Sequence, residues 1–249
     1  MRMSFHRIAY EALEVCNGVE MATIEAAIRL TGLEPGARAV DVGTGNAAVA
    51  IRLARRFGLK VTAIELDPVM ADLARTRIEA AGAARDISLA IASAVEVLAA
   101  LPEADIIVAL GTTNVTGERR PTPDAALGYL AGRLRPGGWL LWGDLVWLAE
   151  PPEPLRQVTE ATNLYADDAG WRSAATGAGL ELEWSEISPQ AVFDRYATTA
   201  VGSARAWLAD HPEAPEADAV RASTDRVAAI LEFGRPFIGF GLYLLRRPG

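Results

Sequence analysis

Ala39-Val40-Asp41-Val42-Gly43-Thr44-Gly45-Asn46-Ala47-Ala48-Val49-Ala50 is the stretch whose reading decides the fold. Its first residues read as a short buried strand. The paired glycines read as a tight turn, and the apolar run after them as the first turn of a helix. A strand feeding a helix through Gly-x-Gly aims amide N–H groups and the positive helix end into one crevice. In an α/β sheet that crevice lies beyond the carboxyl ends of the strands, where ligands bind. Gly43 and Gly45 let the backbone turn sharply and approach a ligand with no Cβ between them. Asp41 places a carboxylate at the end of the strand.

Two ligand classes use this geometry. One is a dinucleotide, because Gly43-x-Gly45-x-x-Ala48 satisfies the relaxed dinucleotide pattern. The other is S-adenosylmethionine. Asp41 begins to separate them, since a carboxylate repels a pyrophosphate and attracts a cationic amino group and sulfonium.

The chain has 249 residues, a hydrophobic content of 51% and a net charge of −8. That length suits one large domain or a domain with a cap, and the apolar content is ample for a core. The negative charge argues against a nucleic-acid partner, whose phosphates require a basic face. Arginines stand in dispersed pairs rather than a stripe, and Lys60 is the only lysine, a bias of bacterial high-GC coding. No apolar run reaches the roughly 20 residues that cross a bilayer, and the first residues lack a signal-peptide core. Cys16 is the only cysteine, so no disulfide framework or cysteine metal site is expected. A cytoplasmic location is the expectation.

Outward from the glycine turn the pattern alternates. Strands are expected at 39–42, 60–64, 87–91, 105–110 and 139–145, with helices at 47–57, 68–81 and 124–134. Nearly wholly apolar strands alternating with helices indicate a parallel sheet covered on both faces. Helical spacing marks 4–16 and 21–30 ahead of the first strand, and 155–165 and 168–178 after the fifth. A sixth strand is expected at 180–187 and a closing one at 237–245. Between them, 190–233 reads as two helices broken by His211-Pro212-Glu213-Ala214-Pro215. The expected organisation is a helical lid at 1–35, a Rossmann-like core at 36–188 and 235–249, and a helical cap insertion at 189–234. The fold class is α/β: a seven-stranded, mostly parallel sheet with helices on both faces and that cap.

From about Ala39 to Arg247 the chain resembles the class I S-adenosylmethionine-dependent methyltransferases. Asp41-Val42-Gly43-Thr44-Gly45 is similar to that family's Asp/Glu-x-Gly-x-Gly motif, with Ala47 where the fuller motif has a third glycine. The resemblance implies that Asp41, Gly43, Thr44 and Gly45 hold the methionyl part. It puts Glu65 on the ribose hydroxyls and Leu66 on the adenine. Ser93, with Ala94, stands where an aspartate often reads the adenine amino group, and Leu110 beside the donor methyl. Leu134-Arg135-Pro136-Gly137-Gly138 matches the family's turn before strand five. Phe5-His6-Arg7-Ile8, Leu110-Gly111-Thr112-Thr113, Gly143-Asp144-Leu145-Val146-Trp147 and Phe193-Asp194-Arg195-Tyr196 are similar to a bacterial small-molecule subgroup. Its pattern is Gly-Glu-Pro-Tyr-Trp after strand five and Trp-Asp-x-Tyr in the cap; Asp144, Leu145 and Phe193 replace its glutamate, proline and tryptophan.

The expected activity is methyl transfer from S-adenosylmethionine to O or N of a small acceptor. His6, a natural proton acceptor near neutrality, and Asp144 are the candidate bases. Asn114, Trp147 and Tyr196 are candidates for holding the acceptor. Two histidines and no cysteine cluster leave no expected metal site. A cofactor-binding regulatory module and a nicotinamide-dependent oxidoreductase are the alternatives.

Overall fold

The structure, a computed structural model, describes residues 3–112, 114–161 and 163–249. Seven strands form one sheet: β1 (Arg38–Val42), β2 (Lys60–Glu65), β3 (Ile87–Ile91), β4 (Ala104–Leu110), β5 (Leu134–Trp147), β6 (Glu181–Ile187) and β7 (Ile238–Arg246). Their order across the sheet is β3-β2-β1-β4-β5-β7-β6. The first five strands are parallel; β7 runs antiparallel to both β5 and β6. The order reverses between β1 and β4, the switch point at which a doubly wound sheet opens a ligand crevice.

Alternation along the strands sends side chains to two cores. On β5, Trp139 and Leu141 join the core under α2 (Met21–Leu30), α3 (Ala48–Phe57) and α4 (Pro68–Ala80). Leu140 and Trp142 join the opposite core, under α6 (Pro123–Ala131) and α8 (Asp168–Gly177). Both faces are covered, which is why the strands read as unbroken apolar runs. Across one rim Glu25, 5% exposed, is ringed by Arg29, Arg52 and Arg56, locking α2 onto α3.

Helix starts follow local chemistry. Ser4 caps α1 (Phe5–Ala12) by accepting from Arg7 N at 3.2 Å. Asp67 caps α4, with Pro68 in its first turn, where a missing N–H costs nothing. Two expectations change. The helix expected at 4–16 ends at Ala12, because the carbonyls of Tyr10, Leu13 and Glu14 accept from the Asn46 amide instead of continuing the helical ladder. A short helix, α5 (Ala94–Ala100), follows β3 where none was expected. Ser93 and Glu96 start it with a reciprocal capping box. α7 (Glu153–Thr159) is also shorter than the helix expected at 155–165.

The long segment before β7 forms α9 (Gln190–Asp210) and α10 (Ala217–Gly234), separated around His211-Pro212 as the sequence suggests. α1 packs against this pair. Phe5 and Ala9 meet Ala200 and Ala204 of α9, and Ile8 meets Leu208 of α9 and Val220 of α10.

Candidate active site

The glycine turn after β1 is built by backbone conformation. Gly43 has φ +69° and Gly45 φ +55°, which side chains rarely adopt. Space enforces the same choice: a Cβ on Gly43 would lie 2.9 Å from Thr112 Oγ1, and one on Gly45 3.2 Å from Cys16 Sγ. Ala47 holds φ 61°, so the position where the fuller motif has glycine carries the conformation that glycine favours.

The turn opens on a cavity of about 1030 Å³ at the carboxyl ends of the strands. Of the residues expected to bind cofactor or acceptor, Gly43, Gly45, Glu65, Leu66, Ser93, Ala94, Leu110 and Asn114 line it. So does His6, from α1. Tyr10, also from α1, stands in the wall with Cys16, Asn17 and Arg119.

Other expected residues stand elsewhere. Asp41 is 3% exposed and lies behind the turn, where Oδ2 accepts from Thr44 Oγ1 at 2.5 Å. Burial pushes its pKa up to about 6; the Thr44 hydroxyl opposes this and the Glu65 carboxylate adds to it. Asp41 and Thr44 therefore shape the turn from beneath instead of lining the cavity. Asp144, expected as a base at the crevice, is buried among α6 and α8 and borders a different, small cavity. Trp147, expected near the acceptor, fills the core with its indole N–H on Glu160 Oε1 at 3.3 Å and Arg156 over its ring. Tyr196 sits behind Tyr10, whose hydroxyl it meets; burial pushes its own pKa up to about 12.

Glu65 is the junction of two loops. Oε2 accepts from Gly45 N and Oε1 from Asp67 N, each at 3.0 Å. A carboxylate has about four acceptor sites, so hydroxyl donors can still be held. Burial raises its pKa against the pull of these backbone bonds. The bond from Gly45 also bears on ligand choice. Thr44 N donates to Ile64 O at 2.9 Å, and Ala47 N to Thr44 O at 2.9 Å. These N–H groups of the turn are spent within the protein, and a carboxylate sits beside them, an unfavourable seat for a pyrophosphate.

Two asparagines that sequence reading passed over hold the N-terminal segment to this site. Asn46 Nδ2 donates to Tyr10 O and Leu13 O at 2.9 Å, while its Oδ1 accepts from Ala48 N at 3.0 Å. Asn17 Nδ2 donates to Leu110 O at 3.0 Å, at the tip of β4. An Asn inside the glycine turn was the available signal. Ser93 spends its hydroxyl on Glu96 Oε2 at 2.6 Å, as part of the α5 cap. The His6 ring opens onto the cavity, and crowding by the protein lowers its pKa. Asp67 opposes that effect and Arg226 adds to it. A neutral imidazole at neutral pH is able to accept a proton.

Comparison with known proteins agrees with this geometry. Residues 39–138 match the family described as a methyltransferase domain. Over 221 residues the chain is 24% identical to YjhP of Escherichia coli strain K12, covering 87% of each chain. It is 28% identical over 177 residues to the 27-O-demethylrifamycin SV methyltransferase of Amycolatopsis mediterranei, covering 68% of this chain and 64% of that one. A SAM-dependent methyltransferase from Thiobacillus denitrificans, solved in complex with S-adenosyl-L-homocysteine, superposes with a TM-score of 0.81. It is 25% identical, with 98% of this chain and 99% of that one covered. Together these likenesses support a class I S-adenosylmethionine-dependent methyltransferase.

Proposed function

We propose that this chain is an S-adenosylmethionine-dependent methyltransferase that passes the methyl group to O or N of a small molecule. The observation that carries the reading is the glycine turn. Its positive-φ residues open onto a cavity of about 1030 Å³, whose wall also holds His6, Tyr10, Cys16 and Asn17. The residues present fit the cofactor. Gly43 and Gly45 leave a cradle that a Cβ would fill, Glu65 offers acceptors for ribose hydroxyls, and Leu66, 62% exposed, offers an apolar face for a base. When bound, S-adenosylmethionine supplies an electrophilic methyl on a positively charged sulfur. The small-molecule reading is supported by the rifamycin methyltransferase relative, whose named acceptor is a small molecule.

The residues of the chain then do three things. Glu65 and the turn fix the donor. Helix α1, read as the lid, brings His6 and Tyr10 to the cavity wall, and α9 and α10, read as the cap, back it from behind. His6 accepts the proton of an acceptor that must lose one as it attacks. Holding two reactants in line supplies roughly 7–11 kcal/mol in well-oriented systems, so positioning is the larger part. The wall presents the uncharged groups of Tyr10, Cys16, Asn17 and Asn114 beside Asp67, Glu96 and Arg119, which suits a small neutral or cationic acceptor. We also place the chain in the subgroup with the Trp-Asp-x-Tyr cap segment. Asp194 of that segment accepts from Arg235 Nε at 2.9 Å and Nη2 at 2.8 Å, clamping α9 to α10.

Titration calorimetry with S-adenosylhomocysteine and with NADH tests the cofactor. Saturable binding of the first alone is expected; binding of NADH alone ends this reading. Turnover of S-adenosylmethionine across a metabolite panel then separates an enzyme from a binding module.

A further inference from the structure

Behind the site, β5, α6, α8 and the segments carrying Thr112 and Asn163 enclose a second cavity with about 10 Å³ of room. That is about the space one water needs. Three polar atoms of its lining residues have no hydrogen-bond partner among the described residues: Trp142 Nε1, Asp144 Oδ2 and Asn163 Oδ1. The residues are 2%, 3% and 5% exposed. Their other polar groups, and those of the neighbouring Trp171, are satisfied. Asp144 Oδ1 accepts from Leu145 N at 2.8 Å, Asn163 Nδ2 donates to Thr112 O at 3.1 Å, and Trp171 Nε1 donates to Leu145 O at 3.0 Å. Unpartnered buried polar groups are costly, and three around one small cavity point to a shared partner.

One N–H donor and two oxygen acceptors are the complement of a water molecule. Its oxygen accepts from the indole, and its two hydrogens go to the carboxylate and the amide oxygen. A metal ion does not match, because the indole would turn its positive hydrogen towards it. We infer that this cavity is a single-water site, and that Asp144 acts through the water as a positioning residue for the cofactor turn. The connection is continuous. From the water it passes to Asn163, whose amide holds Thr112 O. Thr112 Oγ1 in turn donates to Val42 O at 2.7 Å, directly under Gly43. The coupling to the cofactor rests on the function proposed above; the water does not.

A high-resolution crystal structure of the full chain tests the site directly. One water within about 2.7–3.2 Å of all three atoms is expected. A dry cavity, or Asp144 bonded straight to Asn163 Oδ1, overturns the inference. Calorimetry with S-adenosylhomocysteine at about pH 8, where the carboxyl is ionised, tests the coupling. Asp144→Leu is expected to weaken binding about tenfold, while Asp144→Asn, which keeps shape and polar contacts, restores it to within about twofold. If Asp144→Leu does not fold, Trp142→Phe removes the N–H donor together with part of the buried ring and is expected to cost about threefold. Unchanged affinity in the folded Leu or Phe variant overturns the coupling. An unaltered chain that binds no S-adenosylhomocysteine refutes the cofactor reading and the coupling together, and the crystallographic water then stands or falls on its own density.

Discussion

Glu65 accepts from the backbone of two loops and has acceptor sites left over. Glu65→Ala is therefore expected to weaken S-adenosylhomocysteine binding by about 1–3 kcal/mol, through ribose hydroxyls and a Gly45 N–H left unpaired. Calorimetry on the folded variant checks this; unchanged affinity means the acid does not hold the cofactor. His6→Gln is expected to leave that affinity intact and to slow methyl transfer about 10²-fold. Because crowding lowers its pKa, the unaltered enzyme should keep its rate to a more acidic pH than a free histidine would allow. A rate–pH profile on an identified acceptor reads both effects. At this scale the residues that line the cavity were largely legible, because spacing after strand ends is set by the fold. The second layer was not. Asp41 and Asp144 are written like site carboxylates, yet both are buried on the helix-covered faces of the sheet and line no part of the main cavity. Asp144 lies on the same face of β5 as Trp142 and Val146, which are buried under α6 and α8. A sequence gives parity, but it does not say how far along a strand the covering helices reach.

Among the elements, α1 and the segment after it depend on side chains of the central loops. Asn46 reaches carbonyls at the end of α1 and also accepts from Ala48 N at the start of α3, so Asn46→Ala cuts both. The expected cost is about 1–3 kcal/mol, with amide hydrogen exchange rising selectively over residues 5–17. Uniformly faster exchange, or none, contradicts the anchor. Gly111, at φ +60°, is the matching pressure point, since a Cβ there would lie 2.3 Å from Asn17 Oδ1. Gly111→Ala is expected to displace Asn17 and, with it, to loosen the cavity wall, seen as weaker S-adenosylhomocysteine binding in calorimetry. Most elements followed from periodicity and turn residues. α5 did not, because it is a single short helix whose start signal, Ser93 with Glu96, resembles loop chemistry. The early end of α1 also escaped notice, since its cause is an amide contributed by the turn after β1.

For the molecule as a whole, two buried carboxyls set a pH dependence. Burial raises Asp41 from 3.8 to about 6 and Asp144 from 3.8 to about 7. The folded chain holds these protons over a range in which the unfolded chain has released them. Their contribution is therefore full in acid and is lost as pH rises from about 4 to about 7, by at most ~1.4 kcal/mol per pH unit for each group. His6, lowered, works the other way below its ordinary value. Asp144→Asn is expected to gain on the unaltered chain as pH rises through that window; melting temperatures in a pH series that keep a constant gap disprove it. The sheet order has a different consequence. β7, the last strand in the chain, is wedged between β5 and β6, and all but its final residue are buried. During synthesis β5 emerges before β7 and can pair only with β4, while β6 has no partner in the sheet until β7 arrives. The nascent chain completes its sheet only when Arg246 has cleared the tunnel, so β6 is the strand a chaperone must shield until then.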